Sequence, residues 1–228
     1  MKHPALIKAK LIKRYKRFLC DVLLENGETA TVHCANSGSM LGLVKDGFDV
    51  YLSMAANPNN KLKYKLELID DGSSLVGVNT QLTNKLAAEG FAGKLIKPLE
   101  NYSSIQAEVK YGASRIDFLL DGNCFVEVKN ITLKRKAHMA EFPDAITQRG
   151  SKHLLELINA VKSGRRAVSL YIVQRTDTQY FKIAKDIDPV YYKNFMQAKE
   201  AGVEFLCYDC SINLNTININ KPLEIIYE

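Results

Sequence analysis

The sequence predicts an α+β chain, with a small β-barrel over residues 1–80 and a mixed α/β sheet flanked by helices over residues 81–228. Three observations carry that reading. Short apolar stretches broken by Asn-Gly, Asp-Gly and Asn-Pro turns run to about residue 80. Beyond that point strand-like and helix-like segments alternate. The second part also holds "RAVSLYIVQR", a near-continuous apolar strand of the kind found where both faces of a sheet are covered.

Taken in order, "KAKLIKRYKRFLCDVLLENGETATVHCANSG" reads as a strand, a turn and a strand, with Asn26-Gly27 suiting a type I′ hairpin. Further strands are expected at Asp49–Ser53, Lys63–Ile69 and Leu75–Val78, with turns at Asp46-Gly47, Asn57-Pro58 and Asp71-Gly72. Strands this short and this closely spaced suit a small barrel. Asn79 or Thr80 is placed to cap a helix that runs to Glu89 and ends at Gly90. A hairpin region follows, Ile105–Asn130. A long helix comes after Pro143-Asp144, with Asp144 as its cap. Ile146, Gly150, Leu154, Leu157, Ile158 and Val161 share one face of it, and Gly164 closes it. Asp188 caps a further helix, Pro189 opens it, and Gly202 ends it. "VEFLCYDCSI" is the last long strand.

With 46% apolar and 25% charged residues, the chain has the composition of a soluble globular protein. Its five cysteines, odd in number and irregularly spaced, argue against a disulfide framework and for a reduced, cytoplasmic setting. There is no apolar export signal at the N-terminus and no run of 18 apolar residues, so neither export nor a membrane span is expected. The net charge of +6 is concentrated at the start: Lys2, Lys8, Lys10, Lys13, Arg14, Lys16 and Arg17 occur with no acid among them. Arg14, Lys16 and Arg17, interleaved with Tyr15 and Phe18, suit a phosphate backbone; they read equally as one solvated strand face.

The chemistry concentrates in "SRIDFLLDGNCFVEVKN". Side chains alternate faces along a strand, so Ile116, Phe118 and Leu120 share a face, as do Cys124, Val126 and Val128. The two apolar sets coincide only if paired residue numbers have an even sum. That excludes a two-residue loop and selects Asp121-Gly122-Asn123, with Leu120 opposite Cys124 and Gly122 or Asn123 in the left-handed conformation. In that register Asp117 faces Glu127 across roughly 5 Å. Lys129 lies about 7 Å further along the same face, and Arg115 joins them. Two facing carboxylates repel unless a divalent cation sits between them. Mg²⁺ or Mn²⁺ suits such oxygen ligands, and Lys129 would then hold a phosphate oxygen or the attacking water, the layout of metal-assisted phosphodiester hydrolysis. The same residues also read as a surface charge cluster worth well under ~1 kcal/mol.

Other residues carry two readings as well. Glu108 is a third metal ligand or the partner of Lys110 or Arg115. Arg149 and Lys152, with Gln148, lie on the polar side of the long helix as phosphate contacts or as a solvated face, and His153 beside its apolar stripe reads as structural. "HCANSGS" offers backbone N–H groups at residues 37–39 to a phosphate, or is a barrel turn. Cys207 and Cys210 point opposite ways on a strand and read as core.

The landmarks "RYKRFLCDV", "TVHCANSGSM", "VGVNTQLTN", "EVKYGASRIDFLL", "FVEVKN", "FPDAITQRGSKHL" and "AVSLYIVQR" resemble those of the sugar fermentation stimulation protein A (SfsA) family over nearly the whole chain. The resemblance implies an N-terminal OB-like β-barrel, a C-terminal PD-(D/E)XK nuclease-like domain, DNA binding and a regulatory link to sugar catabolism. By that motif Asp117 is the first acid and Glu127 and Lys129 are the (D/E)xK pair, with Ile116 where the motif has Pro. Gln148 is the polar residue that such a helix brings to the catalytic site. The expected partner is DNA, a homodimer is admissible, and the activity is either a metal-dependent nuclease or that of a non-catalytic DNA-binding regulator with a vestigial site.

Overall fold

A computed structural model describes residues 1–57 and 59–227. The first half comprises β1 (Ile7–Tyr15), β2 (Leu19–Leu24), β3 (Thr29–His33), β4 (Asp49–Met54), β5 (Tyr64–Asp70) and β6 (Leu75–Gly77). The strands lie in the order β3-β2-β1-β4-β5-β6, and a parallel bridge from β3 to β5 closes the first five into a barrel. Alternate residues fill it, as the two-residue period of a strand requires: Ala9 and Leu11, Cys20 and Val22, Val50 and Leu52.

Two expectations for the barrel need correction. The basic stretch is not one strand, because the chain reverses at Lys16 and Arg17, which take φ of 48° and 65°. That turn contains none of Gly, Pro, Asn or Asp, so nothing in its composition announces it. The Asn26-Gly27 turn is not a two-residue loop. The Leu24 N–H donates to Glu28 O at 2.8 Å, and of the loop residues 25–27 it is Gly27 that has positive φ, at 85°. This is a three-residue loop, since a type I′ turn would need both central residues in that region. Of the Asn57-Pro58 turn, Pro58 lies outside the described residues.

The second half contains α1 (Thr83–Ala92), β7 (Ile105–Tyr111), β8 (Ser114–Leu120), β9 (Cys124–Ile131), β10 (Leu133–Lys136), β11 (His138–Phe142), α2 (Gln148–Lys162), β12 (Arg166–Val173), β13 (Thr178–Ile183), α3 (Pro189–Glu200), β14 (Glu204–Ile212), β15 (Ile217–Pro222) and β16 (Glu224–Ile226). A six-stranded sheet runs β15-β14-β12-β9-β8-β7, with β9, β12 and β14 parallel at its centre. Helices α2 and α3 cover one face together with a smaller sheet, β10-β11-β13-β16, and α1 covers the other. The smaller sheet is not anticipated by the sequence reading, because strands such as "LKRK" and "HMAEF" lack apolar alternation.

The helix ends differ in detail. Asn79 caps a 3-10 turn (Thr80–Leu82), accepting from the Gln81 N–H, and α1 continues through Gly90 to Ala92. Gly90 is internal because Ile96 and Ile219 approach to 3.1 and 3.2 Å of where a Cβ would stand. Thr147, not Asp144, caps α2, its Oγ1 accepting from the Gly150 N–H at 3.1 Å. Ile146 therefore precedes the helix and is 75% exposed instead of joining its apolar stripe. Asp144 instead accepts from the Met40 N–H at 2.8 Å, and its carbonyl accepts from the Ser39 hydroxyl, so it fastens the barrel to the second half. Asp188 caps α3 as expected.

A second fastening lies beyond β12. Arg175, 1% exposed, donates to Asp177, to the Thr132 carbonyl and, at 2.7 Å, to Asp71 of the barrel. Lys134 pairs with the same Asp177. Among the described residues no helix is long and apolar enough to cross a membrane.

Arg175→Ala strands Asp71 against a buried gap and takes one of its two cations from Asp177, and should cost about 3–5 kcal/mol of unfolding free energy, read from the urea midpoint at unchanged slope. Burial pushes the Asp177 carboxyl up, but Arg175 and Lys134 outweigh it and hold it well below its ordinary value. A depressed carboxyl stabilises the fold above its unfolded value of about 4 and loses that contribution as the pH falls below it. Stability measured against pH should therefore fall steeply below about pH 4, and Asp177→Asn should flatten that limb.

Candidate functional site

Strands β8 and β9 pair Leu120 with Cys124, Leu119 with Phe125 and Phe118 with Val126, so the loop is Asp121-Gly122-Asn123. Asp121 and Gly122 supply the left-handed conformations, at φ of 43° and 65°. Continued by one residue, this register sets Asp117 opposite Glu127, but the ladder stops at Phe118. Asp117 Oδ2 accepts from the Val128 N–H at 2.8 Å, and Oδ1 accepts from Asn84 Nδ2 of α1 at 2.9 Å. A side chain has replaced the main-chain partner of Val128, and the strands part there.

Strand alternation fails at the same point. Ile116 packs with α2 and α3, while Phe118 and Leu120 pack with α1. This corrects the expectation that the three share a face. On the neighbouring strand Glu108 takes φ of 57°, so the kink extends into β7.

Glu127 is 2% exposed. Its Oε1 meets the Lys129 ammonium and His153 Nδ1, and Lys129 Nζ lies 3.3 Å from the same ring nitrogen. Its Oε2 is buried and has no hydrogen-bond partner among the described residues. Burial and the Glu127 charge push the Asp117 carboxyl above its ordinary value. Burial also pushes Glu127 up, but Lys129 and His153 outweigh it and hold it below. The pair is thus divided into one carboxylate secured in its charged form and a second that takes a proton more readily.

Asp117, Glu127 and Lys129 are brought together, and His153 joins them. The sequence reading missed His153 because it falls among the buried positions of α2. The signal was a titratable ring on a helix face that packs on the sheet carrying Glu127. Arg149 Nε reaches His153 Nε2 at 3.5 Å, so it backs the cluster from the surface.

The remaining candidates lie apart. Glu108 is exposed and 3.8 Å from Arg115, itself exposed, so the ion-pair reading is the one its contacts match. Gln148 is exposed at the first position of α2, and its side chain makes no hydrogen bond among the described residues. Lys152 donates to the Ala113 carbonyl at 2.8 Å, steadying the β7–β8 turn. Arg14 spends its guanidinium on the carbonyls of Arg17, Asn36, Gly38 and Ser39. It is a clamp on the barrel's own loop, which removes it from the basic arm. Lys8 and Lys10 pair with Asp49, and Lys13 with Asp21. Lys16 and Arg17 remain exposed at their turn with no salt bridge among the described residues. Cys207 and Cys210 fall in the cores on opposite faces of the sheet.

Among the described residues no three of His, Cys, Asp and Glu converge to hold a metal. Mg²⁺ does not require such a set, since it takes one or two carboxylates and keeps several waters. The unpartnered, buried Glu127 Oε2 beside Asp117 fits a hydrated divalent ion, because an isolated carboxylate oxygen is costly to bury.

A family profile described as the SfsA N-terminal OB domain matches residues 12–78, and one described as the sugar fermentation stimulation protein RE domain matches residues 81–216. The chain is 52% identical to a sugar fermentation stimulation protein homolog of Pelagibacter ubique over 97% of both chains. It is 47% identical to a homolog from Maricaulis maris, over 99% of this chain and 98% of that one. The solved structure of Pyrococcus furiosus SfsA in complex with Ca²⁺ superposes with a TM-score of 0.91 at 27% identity, covering 99% of this chain and 98% of that one. Two profiles in tandem, relatives at about half identity from end to end and a matching solved fold lead to one conclusion: the chain belongs to the sugar fermentation stimulation protein family.

Proposed function

We propose that the chain is a DNA-binding protein whose C-terminal half carries a metal-dependent phosphodiesterase site, with the two units meeting near residue 80. The observation that carries the proposal is the buried, unpartnered Glu127 Oε2 beside Asp117, with the Lys129 ammonium alongside. Asp117 and Glu127 would hold Mg²⁺ or Mn²⁺, and the Ca²⁺ complex of the Pyrococcus furiosus protein supports a divalent ion on this fold. The ion, when bound, polarises the phosphoryl group and lowers the pKa of water. The chain's own residues do the rest. Asn84 and the Val128 N–H fix Asp117. His153 orients Glu127. Lys129 offsets charge on the phosphoryl oxygens.

Incubation with single- and double-stranded DNA, with Mg²⁺, Mn²⁺ or EDTA, tests this reading. Metal-dependent cutting is expected, and Glu127→Gln should abolish it. Lys129→Met should slow it about 10²–10³-fold, and His153→Ala about 10–100-fold. Cutting that ignores both EDTA and Glu127→Gln would end the proposal.

A second reading, a DNA-binding regulator without turnover, draws on a different observation. Glu127 Oε1 is already engaged by Lys129 and His153, while Lys16 and Arg17 stand exposed together on the barrel with no salt bridge among the described residues. The relatives' names attach stimulation of sugar fermentation to those proteins, and a role in sugar catabolism comes to this chain on that support. Five buried, unpaired cysteines suit a cytoplasmic setting. Lys16→Ala and Arg17→Ala should each weaken DNA binding and reduce the slope of log affinity against log salt by about 1, whereas Glu127→Gln should leave both unchanged.

A further inference from the structure

Next to the carboxylate cluster lies a cavity of about 230 Å³ that Asp117, Glu127 and Lys129 do not line. Its walls come from both halves of the chain: Asn36 and Gly38 of the barrel, Thr80 of the 3-10 turn, Asn130 and Thr132 at the end of β9, and residues 143–147 before α2. Asn130 and Thr132 follow Lys129 by one and three residues, so this wall begins about 3–10 Å along the strand from the lysine.

Size, charge and hydrogen-bonding character narrow what the cavity takes. It is smaller than the roughly 300 Å³ at which sites for drug-sized ligands begin, so it suits a single small ring system and not an oligosaccharide. No lysine or arginine lines it, and two acids do, so a phosphate would find no counter-charge there. Both acids are already engaged, Glu141 by Arg135 and Asp144 by the Met40 N–H. What remains on the wall is neutral: the hydroxyls of Ser37 and Thr132, the Thr80 hydroxyl, which donates to the Ala35 carbonyl and can still accept, and the amide N–H groups of Asn130, whose Oδ1 is taken by Gln174. At the lip stands Ile146, the most exposed large apolar side chain among the described residues at 75%. A neutral polar pocket with an apolar lip matches an aromatic ring that has apolar faces and hydrogen-bonding edges, which is a nucleobase.

A polar chain connects this pocket to the site. Asn130 Oδ1 accepts from Gln174 Nε2, and that amide also donates to Thr83 Oγ1 at 3.1 Å. The residue after Thr83 is Asn84, which holds Asp117. A strand whose phosphate lay at Lys129 would thus have a neighbouring base within reach of the cavity.

We infer that this cavity receives one unpaired nucleobase of a strand held at the carboxylate site, with Ile146 packed against its face. The inference rests on the nucleic-acid reading above, and its test separates the two. Single-stranded oligonucleotides carrying 2-aminopurine, whose fluorescence rises when it leaves the base stack, are titrated with the protein in EDTA so that no strand is cut. A rise is expected when the probe occupies one position and not its neighbours. Ala145→Leu, which narrows the cavity, should remove that rise and weaken binding about tenfold. Ile146→Ala, at an exposed site that cannot unfold the chain, should diminish it, and both variants should melt with the wild type. Oligonucleotide binding with no rise at any position, or a rise that survives both variants, overturns the base pocket while leaving the phosphodiesterase reading intact. Binding of free 2-aminopurine riboside with no binding of the strands overturns both, because the cavity is then a small-molecule site. Cutting lost in Glu127→Gln while the fluorescence rise persists supports both.

Discussion

One carboxylate in place of a main-chain acceptor organises the second half of this chain. Asp117 takes the Val128 N–H that a continuing ladder would have used, and β8 parts from β9 at that residue. The hydrogen bond is not lost but reassigned, so the break costs far less than an unsatisfied buried N–H would. The separation puts Asp117 beside Glu127 at a point where neither strand is tied to the other. It also lets Ile116 and Phe118 serve opposite cores, so the two helical layers share one strand.

The electrostatics follow from that placement. Glu127 is deeply buried and would be expensive in isolation, yet Lys129 and His153 converge on one of its oxygens. The other oxygen has no partner among the described residues, and Asp117, close enough to feel its charge, is the member of the pair that gives up ionisation more easily. A site of this kind is neutralised on one side and unfinished on the other. Arg149 extends the arrangement to the surface through His153. Polar contacts hold the barrel against this half, among them Asp144 on Met40 and Arg175 on Asp71, and the neutral cavity opens beside the first of these.

The positive charge of the first twenty residues is less available than its density suggests. Lysines 8, 10 and 13 face acids on neighbouring strands, and Arg14 is absorbed by four carbonyls. Exposed charge is concentrated instead at the Lys16–Arg17 turn, where an unusual left-handed backbone projects two cations together. Surface pairs of this sort contribute little stability, so their main effect is on the electrostatic field at the barrel surface.

Local pattern determined a great deal. The barrel strands from β3 onward, the apolar central strand, the Asp188-Pro189 helix start and the three-residue loop at 121–123 follow from periodicity and turn chemistry, which act within a few residues. The parity of the β8–β9 register was legible because Phe118 and Leu120 share a face with Cys124 and Val126, but the place of Asp117 beside Glu127 also depends on the break at Asp117, which no apolar pattern announces. Tertiary structure decided what depends on partners distant in the chain. Asp144 looked like a cap until Met40 claimed it, Gly90 looked like a stop until Ile219 packed against it, and His153 looked structural until β9 brought Glu127 beneath it. Arg14 and Glu108 looked like functional groups until nearer partners took them. Each is a polar group or a gap whose role is fixed by whichever neighbour satisfies it, and the neighbour is chosen by the fold and not by the adjacent sequence.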